Sequence, residues 1–439
     1  MTGASKYRDI CRVEPTVRFV TDTGEVDLPD RIGIGVLTRL IHRDLVDEVL
    51  AETGRAEQRR RLLPARVVVY YVMALCLFFG DAYEEVMRKL VGGLQWLRGW
   101  DTAWQVPTAS ALCQARQRLG EEPLRALFDR VAQPMLPTGG GGRGWYAGLR
   151  VMALDGLIID VPDTAENVAA FGRTGNNLAD SPYPQARIVA LLECGSRAVL
   201  AAEIGPCHTG EREMAQQLLD RVDQQTLLLA DRGFYGYEFF NTARASNAEL
   251  LWRVNRRITL PVYQQLPDGS YLSALAPKSM HSLVARGQRR RREHLEVPVR
   301  VVEYTITNRG NAADDAGEPE TVRLITSILD HELAPAAELA ALYHQRWEIE
   351  LAFDEIETHQ IGHRVLRSRS PQLVRQEIWA LLLTHYAVRH LMFEAADDID
   401  TEPDRISFLR TLRIVRRQVT DQAAFSPRHT RGKDQEDNR

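Results

Sequence analysis

The sequence predicts a mixed α/β core that follows an all-helical N-terminal region. Apolar residues recur at helical spacing up to about residue 133, and a glycine-rich stretch at 138–144 then interrupts the pattern. Beyond it, β-branched apolar segments come first and then alternate with helical segments. This order is typical of a mixed sheet flanked by helices.

The composition is that of a globular protein, with 439 residues of which 44% are hydrophobic and 26% charged. The longest apolar run, Val67 to Phe79, has 13 residues. A membrane-spanning helix needs roughly 20, so we predict a buried helix and no membrane partner. The polar start from Met1 to Arg12 and five cysteines without a CxxC pair favour a cytoplasmic protein with reduced thiols.

The net charge of −4 does not by itself indicate a nucleic-acid-binding protein. Local clusters of arginine matter more than the average, because DNA affinity depends on where the cations lie. The most concentrated cluster is the run Arg289, Arg290, Arg291 and Arg292. These side chains could contact DNA phosphates, and a solvated loop is the alternative.

The N-terminal part divides into an arm at 1–30 and a helical domain at 31–137. Helices are expected at 32–54, 64–90, 109–120 and 123–133 from their apolar spacing and flanking Gly and Pro residues. The third of these helices carries Arg116 and Arg118. Both are candidates for contacting DNA, although they could simply solvate the helix.

The glycine-rich stretch at 138–144 is interpreted as a linker. A phosphate-binding loop is excluded because no Lys-Ser/Thr pair follows the glycines and no strand precedes them. After the linker we expect an α/β domain formed by residues 145–255 and 329–396.

A β-rich insertion is expected at 256–328, between the two parts of the α/β domain. Its strand-like segments are 262–271, 297–307 and 322–328. Two long helices should follow, from Ala334 to about Thr358 and from Pro371 to Ala395. The charged tail at 397–439 is predicted to be disordered.

Two aspartates lie where a carboxylate is costly. Asp155 is inside the apolar strand LRVMALDGLIIDV, and Asp231 ends the short strand TLLLA. A divalent cation would relieve the partial desolvation of such carboxylates, and hard cations such as Mg²⁺ take oxygen ligands. The alternative is that both are solvated residues at strand ends.

A third acid belongs to the helix predicted after the insertion. Offsets of three and seven residues place Tyr343, Arg346 and Glu350 on one stripe of that helix. An apolar stripe beside it would pack on the core, so an aromatic ring, a cation and an acid would be presented together. A solvated, salt-bridged face is the alternative interpretation.

The arrangement Tyr343-x2-Arg346-x3-Glu350 resembles the signature of the IS-four family of insertion-sequence transposases. Three further blocks resemble the same family in the same order. They are Asp155-Gly156 with the following Val161-Pro162-Asp163-Thr164, then Pro184-Gln185-Ala186-Arg187, then Ala230-Asp231-Arg232-Gly233-Phe234. The helical N-terminal region also resembles that of the family, so the likeness covers roughly residues 30 to 395.

The resemblance implies a ribonuclease-H-like mixed sheet flanked by helices, interrupted by the β-rich insertion. It also implies a DDE transposase that cuts DNA and transfers strands with two Mg²⁺ ions, for which Mn²⁺ should substitute. The metal ligands would be Asp155, Asp231 and Glu350. Asp231 follows Asp155 by 76 residues, and Glu350 follows Asp231 by 119 residues, which leaves room for the insertion.

The same resemblance implies the partners. We expect double-stranded DNA with terminal inverted repeats, a target DNA, and a homodimer on paired DNA ends in a bacterial nucleoid. Residues expected to contact DNA are Tyr343, Arg346, Arg187, Arg116, Arg118 and the run from Arg289 to Arg292. Trp347 could stack on an unpaired base, or it could be a tryptophan at the edge of the core.

One position departs from the family pattern. The family usually has a lysine seven residues after the glutamate, and this chain has Glu357. A nearby cation such as Arg364 or Arg367 could replace the lysine, or the protein could be an inactive copy that only binds DNA. A structure-specific nuclease on the same core is a further alternative. His359 and His363 are four residues apart, but Gly362 makes surface polar residues a better interpretation than a metal site.

Overall fold

The structure is a computed structural model that describes residues 34–57, 63–92, 105–139, 141–175, 181–277, 296–306 and 320–421. The N-terminal arm at 1–30 and the arginine run at 289–292 lie outside these ranges.

The first predicted helix is two shorter elements. A 3-10 helix spans Gly35–Arg39, and helix α1 spans Arg43–Glu52. His42 begins α1, because its Nδ1 accepts a hydrogen bond from the Leu45 backbone N–H at 3.2 Å. Gly54, with φ at +67°, follows the end of α1, in agreement with the predicted stop.

The second predicted helix, 64–90, is wrong as a single element. It forms α2 (Ala65–Leu77) and α3 (Tyr83–Gly92). Every residue of α2 from Val67 to Leu77 is buried, as predicted for the long apolar run. Among the described residues, no helix is long and apolar enough to cross a membrane.

The next two helices match their predictions closely. Helix α4 spans Ala109–Leu119, and Gly120 ends it with φ at +76°. Helix α5 spans Glu122–Val131. Phe128 of α5 packs on Trp379 with ring centroids 5.5 Å apart, so the helical region rests directly on the part of the chain that follows the sheet strands.

The core is a ten-stranded mixed sheet with the order β4-β3-β2-β5-β6-β10-β9-β8-β7, and β1 pairs with β2 outside this path. The strands are β1 (Trp145–Tyr146), β2 (Leu149–Asp160), β3 (Gln185–Glu193), β4 (Ala198–Pro206), β5 (Thr226–Ala230), β6 (Glu249–Arg253), β7 (Gln264–Gln265), β8 (Tyr271–Leu275), β9 (Val297–Ile306) and β10 (Glu320–Thr326). Strands β2, β3 and β4 are antiparallel, whereas β2, β5 and β6 are parallel. This confirms the predicted ribonuclease-H-like α/β fold.

The predicted insertion at 256–328 is rich in β structure, but its strands continue the central sheet. β10 pairs antiparallel with β6, with Ile325 opposite Trp252, and β9, β8 and β7 follow outward. Pairing with β10 satisfies the backbone groups on the free edge of β6, which would otherwise be an exposed sheet edge. Residues 278–295 and 307–319 lie outside the described part of the chain.

Six helices of the described residues pack on the sheet. They are α6 (Ala165–Phe171), α7 (Glu211–Gln216), α8 (Tyr237–Arg244), α9 (Ala336–Tyr343), α10 (Trp347–Asp354) and α11 (Pro371–Asp398), and α12 (Phe408–Asp421) follows them. The 28-residue α11 is the longest of the described helices and packs on both α2 and α5. It therefore belongs to the cores of both regions.

The disorder predicted for 397–439 is wrong for α12. Leu412, Val415 and Val419 of this helix are buried at helical spacing. The helix packs against the 3-10 helix Gly35–Arg39 and against α3. Contact with the N-terminal helices supplies the apolar burial that the charged sequence did not indicate. Residues 422–439 lie outside the described ranges.

The prediction that Arg116 contacts DNA is also wrong. Its side chain is fully buried between α4 and α11. The guanidinium donates to Gln376 Oε1 at 2.9 Å, to Ser368 Oγ at 2.8 Å and to the Tyr83 hydroxyl at 2.9 Å. A buried guanidinium needs such acceptors, so this arginine joins the helical region to the catalytic part.

Replacing Arg116 with Ala should lower the free energy of unfolding by about 3 kcal/mol, because several buried acceptors lose a charged donor. The matched control is Arg118→Ala on the same helix. Arg118 is exposed, so that change should stay within about 0.5 kcal/mol. Urea unfolding of both variants checks this, and equal stabilities would show that the Arg116 network contributes little.

Candidate active site

The sheet brings Asp155 and Asp231 together. Leu154 of β2 pairs with Ala230 of β5, and this is the last pair between these parallel strands. The next residue on each strand is the aspartate. β5 ends at this pair, while β2 continues. Both carboxylates therefore lie at the end of β5, where β2 no longer has β5 as a partner strand. The ends of parallel strands are the usual place for a site in such sheets.

Asp155 is partly withdrawn from water, with 22% of its side chain exposed. Its Oδ1 accepts from the Gly156 backbone N–H at 2.8 Å. Burial raises the pKa of Asp155 to about 6, against the opposing effects of the Gly156 hydrogen bond and of Arg346. The charges of Glu350 and Asp231 raise this pKa further, so the three predicted acids influence one another electrostatically.

Arg346 joins two of these acids. Its Nη1 donates to Asp155 Oδ2 at 3.0 Å, and its Nη2 donates to Glu350 Oε1 at 2.6 Å. Arg346 is 7% exposed, and both of its Nη atoms are engaged by these acids. Two nearby carboxylates attract the nearest cation, and that cation is Arg346.

Tyr343, predicted to contact DNA, is directed inward in this structure. It is 6% exposed, and its hydroxyl donates to the Ala230 carbonyl at 3.3 Å. The helix predicted from Ala334 to about Thr358 is not continuous, because a 3-10 turn at His344–Arg346 separates α9 from α10. This hydrogen bond from Tyr343 therefore stabilises the end of β5, next to Asp231.

Trp347 is 56% exposed at the start of α10. The Arg346 guanidinium carbon lies 5.9 Å from the centre of its ring. Leu351, one turn later, is also exposed at 41%. An exposed aromatic ring beside the candidate site agrees with a role outside the core.

Arg187, predicted to contact DNA, pairs with an acid of the protein in this structure. Its Nη1 forms an ion pair with Glu211 Oε1, and its Nε and Nη2 donate to the Cys207 carbonyl at 3.2 and 2.9 Å. Glu211, the first residue of α7, was not among the residues predicted for the site. The available signal was the glycine close after each aspartate, Gly156 and Gly233.

Glu357 is half-buried in a π-helix that spans Glu355–Ile361 after α10. Burial raises its pKa, His363 lowers it, and the nearby charges of Asp354 and Asp160 raise it further. Of the two proposed substitutes for the family lysine, Arg367 donates to the carbonyls of Asp81 and Leu75. Arg364 is exposed, so it is the better candidate.

The donor atoms of the site fit a hard divalent cation, since carboxylate oxygens are the ligands such ions prefer. In the part of the chain that the structure describes, no three His, Cys, Asp or Glu side chains lie close enough together to hold a metal ion. The guanidinium of Arg346 bonds to both Asp155 and Glu350. It supplies the positive charge that a bound cation would supply, so a cation between these acids requires Arg346 to move.

Comparisons with known proteins match both parts of the chain to transposase families. Residues 31–129 match the insertion element 4 transposase N-terminal family, and residues 146–386 match the transposase DDE domain family. Transposase InsG for insertion sequence element IS4 of Escherichia coli (strain K12) is 30% identical over 390 residues, which cover 88% of this chain and 82% of InsG.

Two further similarities are weaker. The putative transposase InsZ of Escherichia coli (strain K12) is 26% identical over 208 residues, which cover 47% of this chain and 66% of InsZ. A cryo-EM structure of the piggyBac transposase synaptic complex with hairpin DNA superposes with a TM-score of 0.44 at 8% identity, covering 88% of this chain and 79% of that one. The family matches span both the helical region and the sheet with its candidate site, and the chain belongs to the IS4 family of DDE transposases.

Proposed function

We propose that this transposase cuts and joins DNA at the ends of an insertion sequence with Asp155, Asp231 and Glu350 as its catalytic metal ligands. The observation that carries the proposal is the bridge that Arg346 forms between Asp155 and Glu350, beside the strand end that carries Asp231. Asp155 and Asp231 follow the last pair of β2 and β5, and Arg346 joins Asp155 to Glu350. The ions would be two Mg²⁺, for which Mn²⁺ would substitute.

When bound, two such ions would activate a water or a DNA 3′-hydroxyl and stabilise the leaving oxygen in an in-line displacement at phosphorus. The chain's own residues have separate tasks. Asp155 and Asp231 are held by the sheet, whereas Glu350 approaches on α10. The partial burial of Asp155 keeps its carboxylate poorly solvated, which favours coordination of a cation over hydration.

Arg346 would change partners in the reaction. Its guanidinium is the positive charge between Asp155 and Glu350 while no other cation is there. Once its carboxylate partners bind an ion, the guanidinium is free to bond to a DNA phosphate, for which its planar geometry is suited. The expected phosphate contact of Arg346 therefore belongs to the DNA-bound state.

DNA ends with terminal inverted repeats, a target DNA and a second copy of the chain are the proposed partners. Arg118 is exposed on α4 and stays a candidate for reading the repeat within the proposed DNA-binding domain at 31–137. Such DNA lies in the nucleoid of a bacterial cell, where we propose that the chain acts.

Replacing Asp155, Asp231 or Glu350 with Ala should abolish cleavage and strand joining and leave binding of the element end within about threefold, because metal ligands stabilise the transition state more than the DNA complex. Strand-resolved mapping with the protein's own element ends and Mg²⁺ checks this.

The control for this series is Asp354→Ala, which removes an exposed acid one turn after Glu350 and should keep cleavage. Robust cutting by one of the three variants would remove that residue from the site. An unmodified protein that binds ends without cutting would indicate the inactive copy, and cutting without regard to the repeat would indicate a nuclease.

Trp347→Ala should leave the melting temperature unchanged, because the ring is 56% exposed, and should weaken binding to ends with an unpaired terminal base. A base stacked on an aromatic ring contributes about 1–3 kcal/mol. Trp347→Phe keeps a ring and is the matched control. The measurement is the fluorescence of 2-aminopurine at the terminal base, and an identical signal for all three proteins would contradict stacking.

Glu357→Lys should tighten end binding by about 1 kcal/mol, or about fivefold, and should not reduce cleavage. The lysine removes a carboxylate that lies near two other acids and restores the cation common in the family. Affinity and single-turnover cleavage are measured at one fixed salt concentration. Glu357→Gln separates loss of the negative charge from gain of a positive one, and a clear loss of binding in the Lys variant would show that Glu357 has a structural partner.

A further inference from the structure

A glycine lies one residue after Asp155 and another two residues after Asp231, and both are next to the side chain of Glu211. A Cβ atom placed on Gly156 would lie 2.6 Å from Glu211 Oε1, and one placed on Gly233 would lie 3.4 Å from Glu211 Oε2. Neither glycine has the positive φ that would require glycine for backbone reasons. The carboxylate of Glu211 thus lies between the segments that carry Asp155 and Asp231.

Glu211 is held in this position from two sides. It is the first residue of α7, which packs against β2, β3 and β4. Its carboxylate pairs with Arg187 of β3, whose guanidinium is fixed by two hydrogen bonds to the Cys207 carbonyl. The side chain of Glu211 is 32% exposed and that of Arg187 is 16% exposed. The pair is therefore part of the sheet's framework and not a loose surface contact.

We propose that Glu211 is a fourth carboxylate of this site, a positioning residue for Asp155 and Asp231. The inference rests on the proposed function. By filling the space beside Gly156 and Gly233, Glu211 sets the distance between the two aspartate-bearing segments. Its charge also adds to the negative potential at the place where divalent ions would bind, so it strengthens their binding without needing to be a ligand.

A simpler role for Glu211 is to neutralise Arg187 and nothing else. The two roles differ in what happens when both charges are removed together. If Glu211 only neutralises Arg187, the double variant Arg187→Gln with Glu211→Gln should bind divalent ions as the unmodified protein does. If Glu211 acts on the site, the double variant should stay impaired.

The experiment uses the full chain and two readouts. The first is the rise in melting temperature on adding Ca²⁺, which reports ion binding without cleavage. The second is the Mg²⁺ concentration that gives half-maximal cleavage of the element end. For Glu211→Gln, which keeps the shape of the side chain, we expect a smaller Ca²⁺ effect and a Mg²⁺ requirement about tenfold higher, as for other groups that support metal ligands.

Two more variants keep the test decisive. Glu211→Asp retains the charge and should restore much of the ion affinity. Gly156→Ala places a methyl group against Glu211 Oε1 and should reproduce the Gln variant. Melting temperatures without metal, and end binding in EDTA, show whether each variant is folded.

Wild-type ion dependence in Glu211→Gln, or its recovery in the double variant, would overturn the inference. Should Glu211→Gln not fold, wild-type ion dependence in folded Gly156→Ala would overturn it equally. Asp155→Ala separates this outcome from failure of the proposed function. If Asp155→Ala still cleaves and still responds to Ca²⁺, the proposed site itself is wrong; if it does neither while Glu211→Gln is normal, only the role of Glu211 is wrong.

Discussion

The gathering of negative charge at the open end of β2 and β5 is the constraint on which the rest of the structure depends. Carboxylates that are partly shielded from water and close to one another repel, and burial and this repulsion together raise the pKa of Asp155 to about 6. Arg346 offsets part of that cost by bonding to Asp155 and Glu350. In this structure the guanidinium of Arg346 thus occupies the place between Asp155 and Glu350.

The opposite face of the catalytic helix shows how Glu350 is held. Glu348 is buried and binds both Arg143 and Arg197. Directly after α10, the buried Glu355 accepts from His385 Nε2 at 2.9 Å and from Arg389 Nε at 2.8 Å. Glu348 and Glu355 lie on the side of the segment opposite Glu350. Paired charges therefore fix that side, while the side that carries Glu350 faces the candidate site. Buried ion pairs contribute little net stability, but they define a single position for the groups they join. A helix held in one position suits the role proposed for Glu350 as a metal ligand, because Glu350 does not belong to the sheet.

The helical region and the sheet form one continuous hydrophobic core. Helix α11 packs on α2 and α5, and Arg116 joins α4 to α11 through buried hydrogen bonds. The strands after β6 extend the sheet, so the described residues between Asp231 and Glu350 also belong to this body. Packed side chains therefore connect the N-terminal helices to the helical segment that carries Glu350.

The sequence by itself determined the fold class, the family and most helices and strands, because apolar periodicity and short motifs are local properties. It also singled out three acids as candidate metal ligands, because an acid in an apolar strand is costly. The tertiary structure decided which polar groups face each other. It buried Arg116 and Tyr343, engaged Arg187 with Glu211, joined β10 to β6 and folded α12 against the N-terminal helices. The sequence does not distinguish an arginine that binds a phosphate from one that donates to a buried acceptor. Only the position of residues distant along the chain, such as Gln376 for Arg116, determines which partner it has.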